Sequence, residues 1–242
     1  MANPFQLMIS TNQRSSQAEI MDAFDFKGED LVNVLQHIDR INSSLGGHRV
    51  TINGVKQLIR NSKKEVITIA DIGCGSGASL RAIAKWAKKQ NFQVKLIGID
   101  ANPHIIEVAK SLTSAKLNIS YQCLDVFSAE FKALEFDIVC SSLTFHHFKN
   151  ESIIQLLQQL EKQVKLGIII NDLHRHKLAY RLFKLYSFCF VTSQIAKKDG
   201  LISILRGFKS KDFKYFSTQL NYATQLKWFW AFRYQFLIQI HG

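Results

Sequence analysis

The sequence predicts an α/β fold: a mostly parallel sheet with helices on both faces. Three observations carry this. Short β-branched runs end in acids at Val66–Asp71, Val94–Asp100 and Ile119–Asp125, and similar runs follow at Phe136–Ser141 and Leu166–Asn171. Segments of helical periodicity separate these runs, as parallel strands joined by crossovers require. With 242 residues and 47% hydrophobic content, the chain has enough apolar material for one large domain with a substantial core.

Residues 1–64 open with polar sequence and continue into a helix over about 29–45. There Leu31, Val34, Leu35, Ile38, Ile41 and Leu45 recur at helical spacing, and Gly46-Gly47 stop the helix. The run Val66-Ile-Thr-Ile-Ala-Asp71 reads as a buried strand. Gly73, Gly75 and Gly77 then alternate with small residues, which permits a tight turn and lets a ligand approach unshielded backbone. The helix beginning at Ala78 points its free amides and positive dipole end into the same space. A second strand ends at Asp100, where Asn102-Pro103 opens another helix with proline at an early position. A third strand leads into Asp125 and Val126, a fourth into Ser141, and a helix around 151–162 into the fifth. Residues 173–242 read as a helical insertion followed by a strand-rich tail, aromatic and β-branched over 225–240. The chain thus divides into an N-terminal helical cap (1–64), a ligand-binding core (65–172), and an insertion with closing strands (173–242), all in one compact domain.

The glycine loop points to a nucleotide-like ligand. Gly73, Gly75 and Ala78 also satisfy the dinucleotide pattern G-x-G-x-x-G/A, so NAD competes as a reading. Asp71 separates the two: a carboxylate there repels a diphosphate and attracts the ammonium of S-adenosylmethionine (SAM). No Walker lysine-serine pair follows, which excludes a P-loop. The segment Asp71-Ile-Gly-Cys-Gly-Ser-Gly77 resembles motif I of the class I SAM-dependent methyltransferases. The resemblance covers about residues 65–172. It implies a Rossmann-like sheet of seven strands with an antiparallel last strand, closed by the tail as a hairpin, and a helical lid before strand six. It also implies roles for the acids. Asp71 with Gly73, Gly75 and Gly77 would hold the methionine end, Asp100 with Ala101 the ribose, and Asp125 with Val126 the adenine; Ser141 at the fourth strand's tip completes the set.

Open α/β sheets place their ligands beyond the carboxyl ends of the strands, so the acceptor belongs above strands four and five. These run into Ser141-Ser-Leu-Thr-Phe-His146-His147-Phe148 and Asn171-Asp172-Leu-His174-Arg-His176. His174, His146 and His147 are therefore the candidate bases, since imidazole titrates near neutrality and a hydroxyl acceptor must lose a proton. His174 and His176 stand two apart and should diverge, and no third ligand is evident, so no metal site is expected.

Other features narrow the acceptor. The chain's only prolines are Pro4 and Pro103, which removes the N/D-P-P-Y/F/W loop of adenine amino-methylation and the Pro-Cys setting of cytosine methylation. Of the net charge of +12, residues 163–242 supply +10 (13 basic, 3 acidic). On the stretch 177–190, Lys177, Arg181 and Lys184 share one helical face, opposite an apolar face of Leu178, Leu182, Leu185, Tyr186 and Cys189. Such a basic amphipathic helix suits an active-site lid, an anionic membrane surface or an acidic carrier protein, with the 177–214 region making the contact. No nucleic-acid recognition module is visible. The 18 Phe and 3 Trp, dense after residue 180, suggest a greasy acceptor pocket.

The His-His-Phe segment resembles ubiquinone- and menaquinone-biosynthesis methyltransferases. Asn171–Tyr180 and Asp199-Gly200…Arg206-Gly207-Phe208 resemble bacterial methyltransferases associated with type III polyketide pathways. The resemblance implies O-methylation of a phenolic or quinone-like acceptor, favoured over C-methylation of an activated ring, giving S-adenosylhomocysteine (SAH). An RNA methyltransferase using the basic tail, or a SAM-binding module without catalysis, are the competing readings. Cys74, Cys123, Cys140 and Cys189 form no C-x-x-C pair and lie in or beside apolar runs, so buried reduced thiols in a cytoplasmic protein are expected. Residues 1–6 show no signal-peptide pattern, and no 18-residue apolar run appears.

Overall fold

The computed structural model describes residues 10–240. The reading of residues 1–6 as lacking a leader lies outside them. In chain order the elements are α1 (Glu29–Ser44), α2 (Gly47–Ile59), β1 (Val66–Ile72), α3 (Ala78–Lys89), β2 (Gln93–Asp100), α4 (Pro103–Ser111), β3 (Ile119–Cys123) and α5 (Ala129–Lys132). Then come β4 (Phe136–Ser142), α6 (Asn150–Gln163), β5 (Val164–Leu173), α7 (Lys177–Phe190), α8 (Gln194–Arg206), α9 (Ser210–Ser217), β6 (Ala223–Phe229) and β7 (Arg233–Gln239). Short 3-10 turns form at Ile20–Asp22 and Phe145–His147.

The seven strands form one sheet in the order β3-β2-β1-β4-β5-β7-β6. Neighbours from β3 to β5 are parallel, and β7 runs antiparallel to both β5 and β6. The aromatic tail is therefore the expected closing hairpin. One face of the sheet packs Val55, Leu58, Leu80 and Ile83 of α2 and α3 onto Ile67, Ile69 and Ile138. The other packs Leu156 and Leu160 of α6, with Phe213 and Phe216 of α9, onto Val139, Ile168 and Phe236. Burial of apolar side chains on both faces is what holds the parallel strands together.

Three sequence expectations need correction. Gly46-Gly47 do end α1, but Gly46 (φ 74) only turns the chain, and α2 starts at once. Thr51, Ile52 and Gly54 give α2 poor intrinsic helicity, and burial of Val50, Val55 and Leu58 compensates. Cys74 and Cys140 are buried, but Cys123 at the end of edge strand β3 and Cys189 on α7 are exposed. The apolar face expected on α7 is largely unpacked: Leu178, Leu182 and Leu185 are exposed, as are Phe188 (79%) and Phe190 (72%). On this helix Ala179 and Ser187 are buried, with Phe183 and Tyr186 half-covered, so it meets the body along a narrow line. Among the described residues no helix is long and apolar enough to cross a membrane.

Candidate active site

The carboxyl ends of β1, β2, β4 and β5 open into a cavity of about 990 Å³, roofed by α1, α7 and α8. Its first half is built around the glycine loop. Gly73 N–H and Cys74 N–H both donate to Ile99 O (2.8 and 3.1 Å), tying the loop to β2. Gly75 (φ 53) faces open space, with Leu35 Cδ2 as the nearest atom to a Cβ built there, at 3.9 Å. A ligand can therefore lie against this backbone. Gly77 serves packing instead, since a Cβ there would fall 2.1 Å from the Tyr121 hydroxyl.

Each acid of the expected donor set has a distinct setting. Asp71 is 1% exposed in the cavity wall, and burial pushes its pKa up to about 8 against a weak Cys140 thiol contact of 3.6 Å. Such a site favours a cation beside it. Asp100 lines the cavity while its carboxylate accepts from Gly75 N–H (3.3 Å) and Asn102 N–H (3.1 Å). Burial raises its pKa also. Asn102 caps α4 by accepting from His104 N–H, with Pro103 at the first helical position. Asp125, with Ala101 and Val126, lines the same half; Asp125 is exposed and accepts from Phe127 N–H at 2.9 Å. Ser141 does not reach the cavity. It is buried and donates to Ile72 O at 2.8 Å, bracing β4 against β1. Neither Ser141 nor Gly77 lines the cavity, unlike the other residues of the expected cofactor set.

The second half is walled by the β4 and β5 ends, and its histidines differ sharply. Leu143 adopts φ 59, a conformation that disfavours a branched residue, and so bends the chain after β4 into the Phe145–His147 turn. His146 is buried there, with Nδ1 2.7 Å from Asp172 Oδ1 and Nε2 3.5 Å from Glu19 Oε1. Burial alone would lower its pKa, but Asp172 and then Glu19 outweigh that and raise it to about 9. His146 is therefore an imidazolium held between two carboxylates. Asp172 is fully buried in this pair and is engaged by His146.

His147 is half-buried in the cavity wall, and its Nδ1 lies 2.6 Å from Asp22 Oδ1. Against the cost of burial, hydrogen bonds from His147 and Arg206 hold the Asp22 carboxyl below its usual range. A carboxylate partner makes Nδ1 the donor and leaves Nε2 as the acceptor. His174 also lines the cavity; its Nδ1 accepts from Trp228 Nε1 (3.3 Å), and burial lowers its pKa to about 4. The His174 and His176 rings do not diverge as expected: both lie in the turn between β5 and α7, and their centroids sit 5.2 Å apart. Glu19, His146 and His147 offer ligand atoms within 4.8 Å of one another, while Asp172 and Asp22 engage the Nδ1 atoms of the two histidines.

Two arginines lock the β4 loop, Arg206 from the stretch singled out in the sequence and Arg14, which no motif marks. Arg14 donates to His146 O (2.8 Å), Phe148 O (2.9 Å) and Arg206 O (2.8 Å). Arg206 donates to His146 O, His147 O and Asp22 Oδ2. Asp199 accepts from Ile20 N–H and Met21 N–H, so the segment around 19–22 is pinned over the cavity by α8. Aromatic side chains complete the chamber, among them Phe24, Phe183, Tyr186, Trp228, Trp230 and Phe232.

Residues 69–167 match the family described as a methyltransferase domain. The carboxy-S-adenosyl-L-methionine synthase of Haemophilus ducreyi is 25% identical over 139 residues, 56% of this chain and 50% of that protein. The ubiquinone biosynthesis O-methyltransferase of Coxiella burnetii is 33% identical over 99 residues, 40% of this chain and 38% of that protein. The chain thus spans half or less of the length of these curated relatives. Among solved structures, the plantazolicin methyltransferase BpumL in complex with SAH shares the fold at TM-score 0.61 and 17% identity, over 87% of this chain and 95% of that one. Magnesium protoporphyrin IX methyltransferase from Synechocystis PCC 6803 does so at TM-score 0.53 and 16% identity, over 81% and 84%. The strand order, the glycine loop and the match over residues 69–167 together identify a methyltransferase domain within this chain.

Proposed function

We propose that this protein transfers a methyl group from SAM to a small, apolar phenolic or quinone-like acceptor, at oxygen in preference to carbon. One observation carries the reading: a single cavity joins the acid-tipped ends of β1 and β2 to an aromatic chamber beneath α7. The residues fit the cofactor. Gly75 leaves backbone open to a ligand, Asp71 is a buried acid facing the cavity, and Asp100 and Asp125 stand at successive strand ends beyond it.

SAM, when bound, supplies an electrophilic methyl group on a sulfonium. The protein must align the acceptor with that group, exclude water and remove the acceptor's proton. Asp71 would balance the ammonium, Asp100 the ribose hydroxyls, and Asp125 the adenine amino group. For the base, the geometry favours His147 over His174 and His146. Asp22 orients His147 so that Nε2 is free to accept a proton. His146 already carries a second proton, and the Nδ1 lone pair of His174 is engaged by Trp228. The exposed apolar side chains of α7 stand beside Lys177, Arg181 and Lys184. A face of this composition suits the surface of an anionic membrane, from which a greasy acceptor would enter.

Incubation with methyl-labelled SAM and a panel of phenols and quinols, alongside total RNA, tests the proposal. Label in the phenol panel is the expected result. Label in RNA alone would move the acceptor to nucleic acid, and SAH binding without any label transfer would favour a binding module.

A further inference from the structure

The cavity wall holds one buried cation that the methyl-transfer chemistry above does not use. Arg233, at the start of β7, is 2% exposed. Its Nε has no hydrogen-bond partner, and its one side-chain bond runs from Nη1 to the neutral Asn171 Oδ1 at 3.4 Å. The chain's other deeply buried arginines are matched. Arg175 meets Thr11 O, Gly207 O and Asp212, and Arg206 meets Asp22. Asp172, the acid whose charge Arg233 feels, is bonded to His146. Among the described residues, no carboxylate lies within ion-pair distance of Arg233. A buried guanidinium without a counter-charge is costly, and burial lowers its pKa to about 10.

A second unpartnered polar atom lies beside it. Asn42 Oδ1 on α1 is buried without a hydrogen bond, and Asn42 also lines the cavity. Both side chains press on Gly47: a Cβ there would fall 1.7 Å from Asn42 Oδ1 and 3.0 Å from Arg233 Cζ. The topology puts this pair on the acceptor side. β4 and β5 separate β7 from β1, three strand spacings or roughly 14 Å. The acids assigned to the donor lie on β1, on β2 and after β3. Trp230 and Phe232, next to Arg233 in sequence, line the same wall and offer flat apolar surface to an aromatic ring.

We infer that Arg233 binds a carboxylate carried by the acceptor, so that the substrate class is an aromatic acid. The planar guanidinium matches a carboxylate with two parallel hydrogen bonds, which a neutral phenol cannot supply. The inference rests on the methyltransferase reading, because it assigns this half of the cavity to the acceptor.

The test uses the full chain saturated with SAH, titrated with 4-hydroxybenzoate and 3,4-dihydroxybenzoate and with the corresponding amides. The acids should bind the wild-type protein tighter than their amides, on the order of tenfold or more. Arg233→Gln should abolish that preference while leaving SAH affinity unchanged, and Arg233→Lys should keep part of it. Equal affinity of acid and amide for the wild-type protein overturns the inference without needing any variant. A parallel fall in SAH affinity in Arg233→Gln overturns it too, by moving Arg233 to the donor. Failure of the wild-type protein to bind SAH at all would instead sink the methyltransferase reading.

Discussion

The two halves of the cavity are built from different kinds of contact. The glycine-loop half is a single strand–loop–helix unit with the tip of the next strand, tied by backbone bonds such as Gly73 N–H to Ile99 O. The half beyond β4 joins Arg14, Glu19 and Asp22 from the N-terminal segment with His147 and Asp172 after β4 and in β5, and with Arg206 and Arg233 from the C-terminal part. Charged side chains, rather than backbone, hold it in shape. Backbone geometry thus shapes the glycine-loop half, whereas the half beyond β4 depends on a few buried charged groups.

Substitutions can break or sharpen this contrast. The largest expected effect is on turnover. His147→Ala should lower kcat for the labelled product by about 10²–10⁴-fold, the range of a lost general base, with SAH affinity unchanged. His174→Ala should cost less, and a larger loss there would return the base role to His174.

Stability should follow the charged half. Asp172→Asn leaves the buried His146 imidazolium without its nearest carboxylate and should cost about 3–5 kcal/mol in denaturant unfolding. The pH dependence has a definite sign. His146 has a folded pKa of about 9, above its ordinary 6.5, so its contribution is full below 6.5 and lost as pH rises through 9. Unfolding curves of the wild-type protein between pH 7 and 10 should show that loss, and those of Asp172→Asn should show less of it.

In the donor half, Asp100→Ala should weaken SAM binding by about 1–3 kcal/mol in calorimetry if the ribose hydroxyls bond to the charged group. Unchanged affinity would remove Asp100 from the site. The smallest effect on stability belongs to α7. Phe188 is exposed, so Phe188→Ser should shift unfolding by no more than about 0.5 kcal/mol. The same change should reduce binding to anionic lipid vesicles, and unchanged vesicle binding would leave the exposed face without a membrane role.

Legibility in the sequence follows the same division. Asp71, Gly73, Gly75 and Asp100 are readable because each belongs to a short motif with a local conformational reason: a strand end, a turn, a helix start. The hairpin over 223–239 is visible in the β-branched, aromatic tail. The helix α2 is not, because its helicity comes from packing on the sheet and not from its own residues. His146, His147 and His174 are recognisable as neighbours of strand ends. Their chemistry cannot be ranked there, because it depends on Asp172, Asp22 and Trp228 as spatial partners.

By itself, then, the sequence determined the succession of strands, the glycine loop and the acids that tip the strands. Local periodicity and turn chemistry act over a few residues and are written there. Only the tertiary structure decided which partner each histidine meets, that the Ser141 hydroxyl bonds to Ile72 O, and that Arg233 lies buried in the cavity wall without a counter-charge. Burial and charge pairing set those properties, and both arise from residues far apart in the chain that meet only when it folds.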